Sequence, residues 1–218
     1  MTAPTWERRV VAIDGPGGVG KTTVARGVAQ ALGYESLDSG AFYRAATLLI
    51  KLHRIDSEDE AAVMATLAGA DLAYRDGTIF LEGVDVGRAI RTVAITTATS
   101  PLAALPGVRL LVVKRLRRWV AEREGRVVVE GRDMGTVVFP ASELKIYLDA
   151  DPEIRAARRA GETRATVREV AARLKNRDRQ DSTRTLSPLA AADDAHRIDT
   201  TTLNADQVIA RVLSFRAG

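Results

Sequence analysis

The chain has 218 residues, 46% of them hydrophobic, with 32 basic and 28 acidic side chains and a net charge of +4. That length suits one α/β domain with an insertion, and it buries a core without covalent staples. The absence of cysteine excludes disulfides and thiolate metal sites, no run of eighteen apolar residues spans a membrane, and the first nine residues hold no apolar signal core, so a cytoplasmic protein without a membrane partner is expected.

Val10-Val11-Ala12-Ile13 predicts a strand over about 10–14. Directly after it stands Gly15-Pro16-Gly17-Gly18-Val19-Gly20-Lys21-Thr22, a complete G-x-x-x-x-G-K-[ST] phosphate loop, and Thr23 onward has helical periodicity up to a C-capping Gly33. Between a strand and a helix start, such a loop turns successive backbone N–H groups onto a polyphosphate, and the helix adds favourable partial charge. Lys21 reaches the β and γ phosphates and the Thr22 hydroxyl ligates Mg²⁺, so a nucleoside triphosphate is the expected ligand.

Tyr34–Asp38 predicts a short strand ending at Ser39-Gly40, followed by a helix from Ala41 to about Leu52. Ser57-Glu58-Asp59-Glu60 has the form of a capping box before a helical stretch, Ala61 to Leu67. Leu72–Arg75 and Thr78–Leu81 flank Asp76-Gly77, a hairpin signal inside a βα series and hence the mark of an inserted subdomain. Pro101 and Pro106-Gly107 punctuate the return to a long amphipathic helix, Val108 to Glu124. Two strands follow at 126–130 and 144–148, then a helix opened by Asp151-Pro152, an arginine-dense stretch over 155–184, a strand at 196–199 and a helix capped by Asn204. Strands alternating with helices imply a three-layer α/β/α fold on a parallel sheet of about five strands. The expected organisation is a core at about 6–38, 111–154 and 185–218, an acceptor-binding insertion at 39–110 and a mobile lid at 155–184.

Three further clusters carry charge to places where α/β sheets bind ligands. Asp38-Ser39-Gly40 with Arg44 stands at a strand end, and Glu130-Gly131-Arg132-Asp133 stands where an interior strand emerges. Arg177-Asp178-Arg179-Gln180-Asp181 with Arg184 belongs to the stretch expected to form the lid. The excess of base is mostly arginine, which forks onto phosphate and carboxylate, while aromatic residues are sparse and do not interleave with it. Small anionic substrates fit this pattern at least as well as nucleic acid, and no nucleic-acid partner is expected. His53 and His196 join no cluster. On the loop alone, kinases for other monophosphates or for a hydroxylated metabolite stay open, as does a nucleic-acid ATPase; a guanine-type switch lacks its Asn-Lys-x-Asp signature here.

Taken together and in order, these segments resemble the bacterial cytidylate kinases. The resemblance rests on Asp14-Gly15-Pro16, Asp38–Arg44, the run Glu130–Pro140, Lys145–Ala150, Arg177-Asp178-Arg179, Asp181, Arg184, Ser187-Pro188-Leu189 and Asp199–Leu203. It implies a monomeric enzyme that transfers the γ-phosphoryl of ATP to CMP or dCMP with Mg²⁺. ATP would be held by Gly15, Pro16, Gly17, Gly18, Val19, Gly20, Lys21, Thr22 and Thr23. The acceptor nucleotide would be held by Ser39, Arg44, Ser100, Arg109, Arg132, Asp133, Arg177, Asp181 and Arg184. Catalysis would fall to Lys21, Arg132, Arg177, Arg155 and Arg158 as charge neutralisers, with Asp199–Thr201 near the adenine. The assignments agree with the chemistry: phosphoryl transfer needs positioning and neutralisation rather than a strong base, and a carboxylate such as Asp133 accepts from the cytosine amine but not from the uracil carbonyl.

Overall fold

A computed structural model of the chain describes residues 3–161 and 165–216. In chain order it forms β1 (Val11–Asp14), α1 (Lys21–Leu32), β2 (Glu35–Asp38), α2 (Ser39–Leu52), α3 (Glu60–Ala68), β3 (Leu72–Arg75), β4 (Thr78–Leu81), β5 (Val84–Asp85), α4 (Val93–Leu102) and α5 (Pro106–Ala121). Then come β6 (Val127–Gly131), β7 (Leu144–Asp149), α6 (Pro152–Ala160), α7 (Val167–Ser182), β8 (His196–Asp199) and α8 (Ala205–Ser214). Two compact units result, one of Met1–Leu37 with Trp119–Gly218, the other of Asp38–Arg118.

The first unit is built on a five-stranded sheet of order β2-β6-β1-β7-β8. β1 pairs in parallel with β6 (Val11 beside Val128) and with β7 (Val11 beside Leu144), and β7 pairs in parallel with β8. A central parallel strand is covered on both faces, which is why Val11, Ala12 and Ile13 are all fully buried and why the segment reads as an unbroken apolar run. Val24, Ala25 and Val28 of α1 and Val208 and Val212 of α8 close one core with Ile13, Val128, Ile146 and Leu148. Parallel register gathers Asp14, Gly131 and Asp149 at one carboxyl edge, so the loops that follow them open there.

The second unit packs α2 against α3, α4 and β4, and holds a three-stranded antiparallel sheet of order β3-β4-β5. The predicted hairpin forms with its predicted limits. Asp76 and Gly77 both take positive φ (49° and 74°), the backbone of a type I′ turn, whose twist matches that of the strands it joins. Phe42 stacks on Tyr74 with ring centroids 5.9 Å apart.

Several boundaries differ from expectation for local reasons. α2 starts at Ser39, not Ala41, because the Asp38 carboxylate accepts the Ala41 N–H at 3.1 Å and caps it without a loop. The cap of α3 is Asp59 rather than Ser57, since the Glu60 carboxylate that would close the box accepts instead from the Gly107 N–H at 2.8 Å. Pro101 sits inside the last turn of α4, where it forfeits one bond while the Ala103 N–H still reaches the Thr99 carbonyl at 2.8 Å. Part of the expected lid, residues 162–164, lies outside the described residues.

Candidate active site

β1 ends at Asp14 and the backbone turns at once through Gly15, at φ 148°. A Cβ there would lie 2.2 Å from the Leu148 carbonyl oxygen, so only glycine allows the loop to leave the sheet beside β7. α1 begins at Lys21 behind Gly20, a cap with no side chain to satisfy the first-turn N–H groups, which therefore face the loop. Lys21 is buried and its Nζ donates to the carbonyls of Gly15 (2.8 Å) and Pro16 (2.6 Å). Burial first, then the positive charge of Arg132, pulls its ammonium down to about 7. Thr22 and Thr23 follow in the first turn, and the Thr22 hydroxyl makes no hydrogen bond among the described residues.

Asp14 accepts from the N–H groups of Met134 (2.9 Å) and Gly135 (2.8 Å), so the end of β1 anchors the π-type turn Met134–Val138 that follows Asp133. Burial pushes the Asp14 carboxyl up to about 6 against those two bonds. Arg132 donates through Nε to Asp181 at 2.9 Å and through Nη1 to the Gly15 carbonyl at 2.9 Å, joining the loop to α7. Asp181, almost wholly buried, also has Arg177 and Arg184 at 3.9 Å each. Burial opposes its charge, but the three guanidinium groups outweigh that and hold its carboxyl below the usual range. Asp133 is buried, and its charge acts on Asp14.

Arg155, from α6, donates to the Ala150 and Gly17 carbonyls at 3.1 Å each and pairs with Asp178 of α7. Asp178 in turn accepts the Gly17 N–H at 3.0 Å. Arg158 directs its guanidinium to Thr200 (Oγ1 at 3.0 Å, carbonyl at 2.6 Å) and Leu203, fixing the loop after β8, while the Thr200 hydroxyl touches the Val19 carbonyl at 3.4 Å. The first unit thus brings together the phosphate loop, Lys21, Arg132, Asp133, Arg155, Arg158, Arg177, Asp181 and Arg184. Among the described residues no group of three or more His, Asp or Glu gathers to hold a metal.

The second unit holds the remaining predicted residues. Arg44 pairs with Asp38 at 2.7 Å across the first turn of α2, with Arg91 at 3.9 Å from the same carboxylate. Burial opposes the Asp38 charge, but Arg44 and then Arg91 hold its carboxyl low. Ser39 is buried beside it. Arg109 is buried, donates to the Ala103 carbonyl at 3.2 Å and lies 5.5 Å over the Tyr43 ring; Ser100 is buried on α4. In the first unit, apart from these groups, His196 stacks on Phe215 at 4.0 Å. Asp14 and Asp178 stood among the matching motifs but were given no part in binding or catalysis. Asp14 carried a signal in its place before the loop, whereas Asp178 looked like one of many charges on a helix.

A glycine-rich loop between a central parallel strand and a helix, closed by a buried lysine and ringed by arginines, defines a phosphate-loop nucleotide-binding protein of the kinase type. A gluconokinase from Sinorhizobium meliloti shares the fold, with a TM-score of 0.53 at 13% identity over 96% of this chain and 92% of that one. Residues 11–217 match the family profile described as cytidylate kinase. The chain is 46% identical over 215 residues to a cytidylate kinase of Rhodococcus jostii (94% of this chain, 93% of the relative) and 44% identical over 209 residues to one of Mycobacterium leprae (94% and 93%). A cytidylate kinase of Klebsiella pneumoniae is 41% identical over 215 residues (94% of each). The chain belongs to the cytidylate kinase family.

Proposed function

We propose that this enzyme transfers the γ-phosphoryl group of ATP to CMP or dCMP, giving ADP and CDP or dCDP, and that it works as a monomer in the cytoplasm on free nucleotides rather than on nucleic acid. The observation that carries the reading is the loop from Gly15 to Gly20 with Lys21 and the first turn of α1, which no side chain caps, in a chain of this family. A phosphate oxygen of the acceptor attacks the γ phosphorus as the bond to the β,γ-bridging oxygen breaks and ADP departs. The attacking oxygen is already deprotonated near neutral pH, so no general base is required. Lys21, Arg155 and Arg177 neutralise charge on the transferring group. Arg158 contributes by holding Thr200 and Leu203, at and just beyond the Asp199–Thr201 segment expected near the adenine, with Thr200 in turn against the phosphate loop.

For the acceptor, Arg44 and Arg132 are assigned to the phosphate, Asp133, Ser100 and Arg109 to the cytosine, and Arg177, Asp181 and Arg184 to the sugar, with Ser39 beside them. The residues present fit a magnesium ion: the Thr22 hydroxyl at the start of α1 is uncommitted and is a hard oxygen donor, the kind this cation takes together with phosphate oxygens. When bound, Mg²⁺ would be held by the Thr22 hydroxyl together with the nucleotide and would supply positive charge against the phosphates during transfer.

The test is ADP formation from ATP and Mg²⁺ with CMP, dCMP, UMP, AMP or dTMP offered separately, against a control without acceptor. Fast turnover with CMP and dCMP is the expected result. A faster rate with AMP or dTMP would refute the cytosine assignments, and acceptor-independent ADP release would refute the kinase reading. Asp133→Ala is expected to raise KM for CMP by at least about tenfold while leaving ATP binding within about twofold.

A further inference from the structure

Asp178 lies on α7, yet its two carboxylate oxygens are spent on the phosphate loop and its neighbour. Oδ1 accepts the Gly17 N–H at 3.0 Å and Oδ2 pairs with Arg155, whose Nη1 also donates to the Gly17 carbonyl at 3.1 Å. α7 lies close over the loop at this point: a Cβ on Gly17 would meet Leu174 Cδ2 at 2.7 Å, Asp178 Oδ1 at 3.6 Å and Arg132 Nη2 at 3.8 Å. A loop N–H and an arginine fork are the donors that a phosphate oxygen takes, and a carboxylate oxygen has the same charge sign and the same lone pairs to offer them.

We propose that Asp178 is an internal anion standing in for nucleotide phosphate, and that a triphosphate must expel it from both Gly17 and Arg155. Resting on the reading of the loop as the nucleotide site, this makes Asp178 a positioning residue. Two anions cannot hold the same donors, so entry of the phosphates detaches α7 from the loop and frees Arg155 to turn onto the transferring group. Return of the carboxylate competes with the product diphosphate and speeds its departure. The donor site and the arginine-rich helix are thereby coupled by one side chain, and Arg155 stays neutralised whenever no nucleotide is bound.

Calorimetric titration of the full chain with ATP and Mg²⁺, without acceptor, tests this in wild type, Asp178→Asn, Asp178→Ala and Lys21→Ala. Removing the competing charge is expected to tighten ATP binding about 5- to 20-fold in both Asp178 variants, while kcat with CMP falls because ADP leaves more slowly. Unchanged affinity with a lowered Tm would make Asp178 a structural strut and overturn the proposal, and weakened affinity would make it a nucleotide or metal ligand and overturn it too. Wild type that fails to bind ATP, or binds it no better than Lys21→Ala, would refute the loop reading itself, a different outcome. A second measurement needs no variant: in ¹³C-labelled wild type, adding inorganic tripolyphosphate is expected to shift the Asp178 carboxyl resonance as its partners leave. A resonance unmoved at saturating tripolyphosphate would overturn the proposal.

Discussion

Lys21 illustrates how one buried side chain sets a condition on ligand binding. In its cage of Gly15 and Pro16 carbonyls, burial and the nearby Arg132 bring its ammonium down to about 7 from an ordinary 10.5. Bound phosphates favour the charged form and raise that value again, so binding above pH 7 draws a proton from solvent. At pH 8, where Mg-bound ATP carries no proton, uptake is expected to approach about one proton per site. Calorimetry in buffers of different ionisation enthalpy reads that number directly, and a heat independent of buffer would contradict the depressed value. The same shift bears on stability with the opposite sense to a salt bridge: between pH 7 and 10.5 the unfolded chain binds the extra proton, so Lys21 makes the fold more stable as pH rises through that window. Lys21 was legible in sequence because the loop motif is local. Asp178 was not, because its partner Gly17 is 161 positions away and nothing in a run of mixed charge marks which carboxylate turns inward.

At the scale of elements, sequence told most where the signal is carried by neighbours in the chain. The hairpin of β3 and β4, the buried run of β1, Asp151 and Pro152 opening α6, and Asn204 capping α8 were all readable from adjacent residues. α4 was missed because Val93-Ala94-Ile95-Thr96-Thr97-Ala98-Thr99 is rich in β-branched residues and shows no apolar stripe of helical period; Thr92 caps it and the second unit's core fixes it. The π-type turn after Asp133 depends on Asp14, far away in sequence, and so had no local sign. Asp38 joins both kinds of information, since it caps α2 and neutralises Arg44. Asp38→Asn keeps an acceptor for the Ala41 N–H but loses the ion pair, whereas Asp38→Ala loses both. The alanine variant is expected to be the less stable by about 1 kcal/mol, and both are expected to fall about 2 kcal/mol or more below wild type because the part-buried Arg44 is left uncompensated. Urea unfolding at pH 7 measures this. Wild type and Asp38→Asn should converge as pH falls below the usual carboxylate range, where the depressed Asp38 carboxyl finally takes up its proton and the pair is lost, while Asp38→Ala stays lower by the cap. Equal stability of the two variants at pH 7 would show that the cap contributes nothing.

For the whole molecule, the division into two units keeps every residue assigned to ATP on the first unit, while the residues assigned to the acceptor fall on both. Every residue assigned to ATP, from Gly15 to Thr23 with Arg155 and Arg158, belongs to the first unit, whereas Ser39, Arg44, Ser100 and Arg109, all assigned to the acceptor, belong to the second. The second unit has its own buried apolar residues, Val63, Leu67, Tyr74, Ile79, Leu81 and Ile90 among them, so it can lose stability on its own account. Ile79, 1% exposed on β4, is the natural probe. Ile79→Ala removes three carbons from that core and is expected to cost about 2–5 kcal/mol there. Hydrogen exchange should then speed up across residues 38–118 and stay unchanged on β1, β6 and β7. If donor and acceptor binding are divided as assigned, the affinity for ATP without acceptor stays within about twofold of wild type, while KM for CMP rises as the fraction of properly folded second unit falls. Should the ATP affinity drop in parallel and exchange accelerate through the five-stranded sheet as well, the two units would be one cooperative body, and a local defect in either would be felt equally by both substrates.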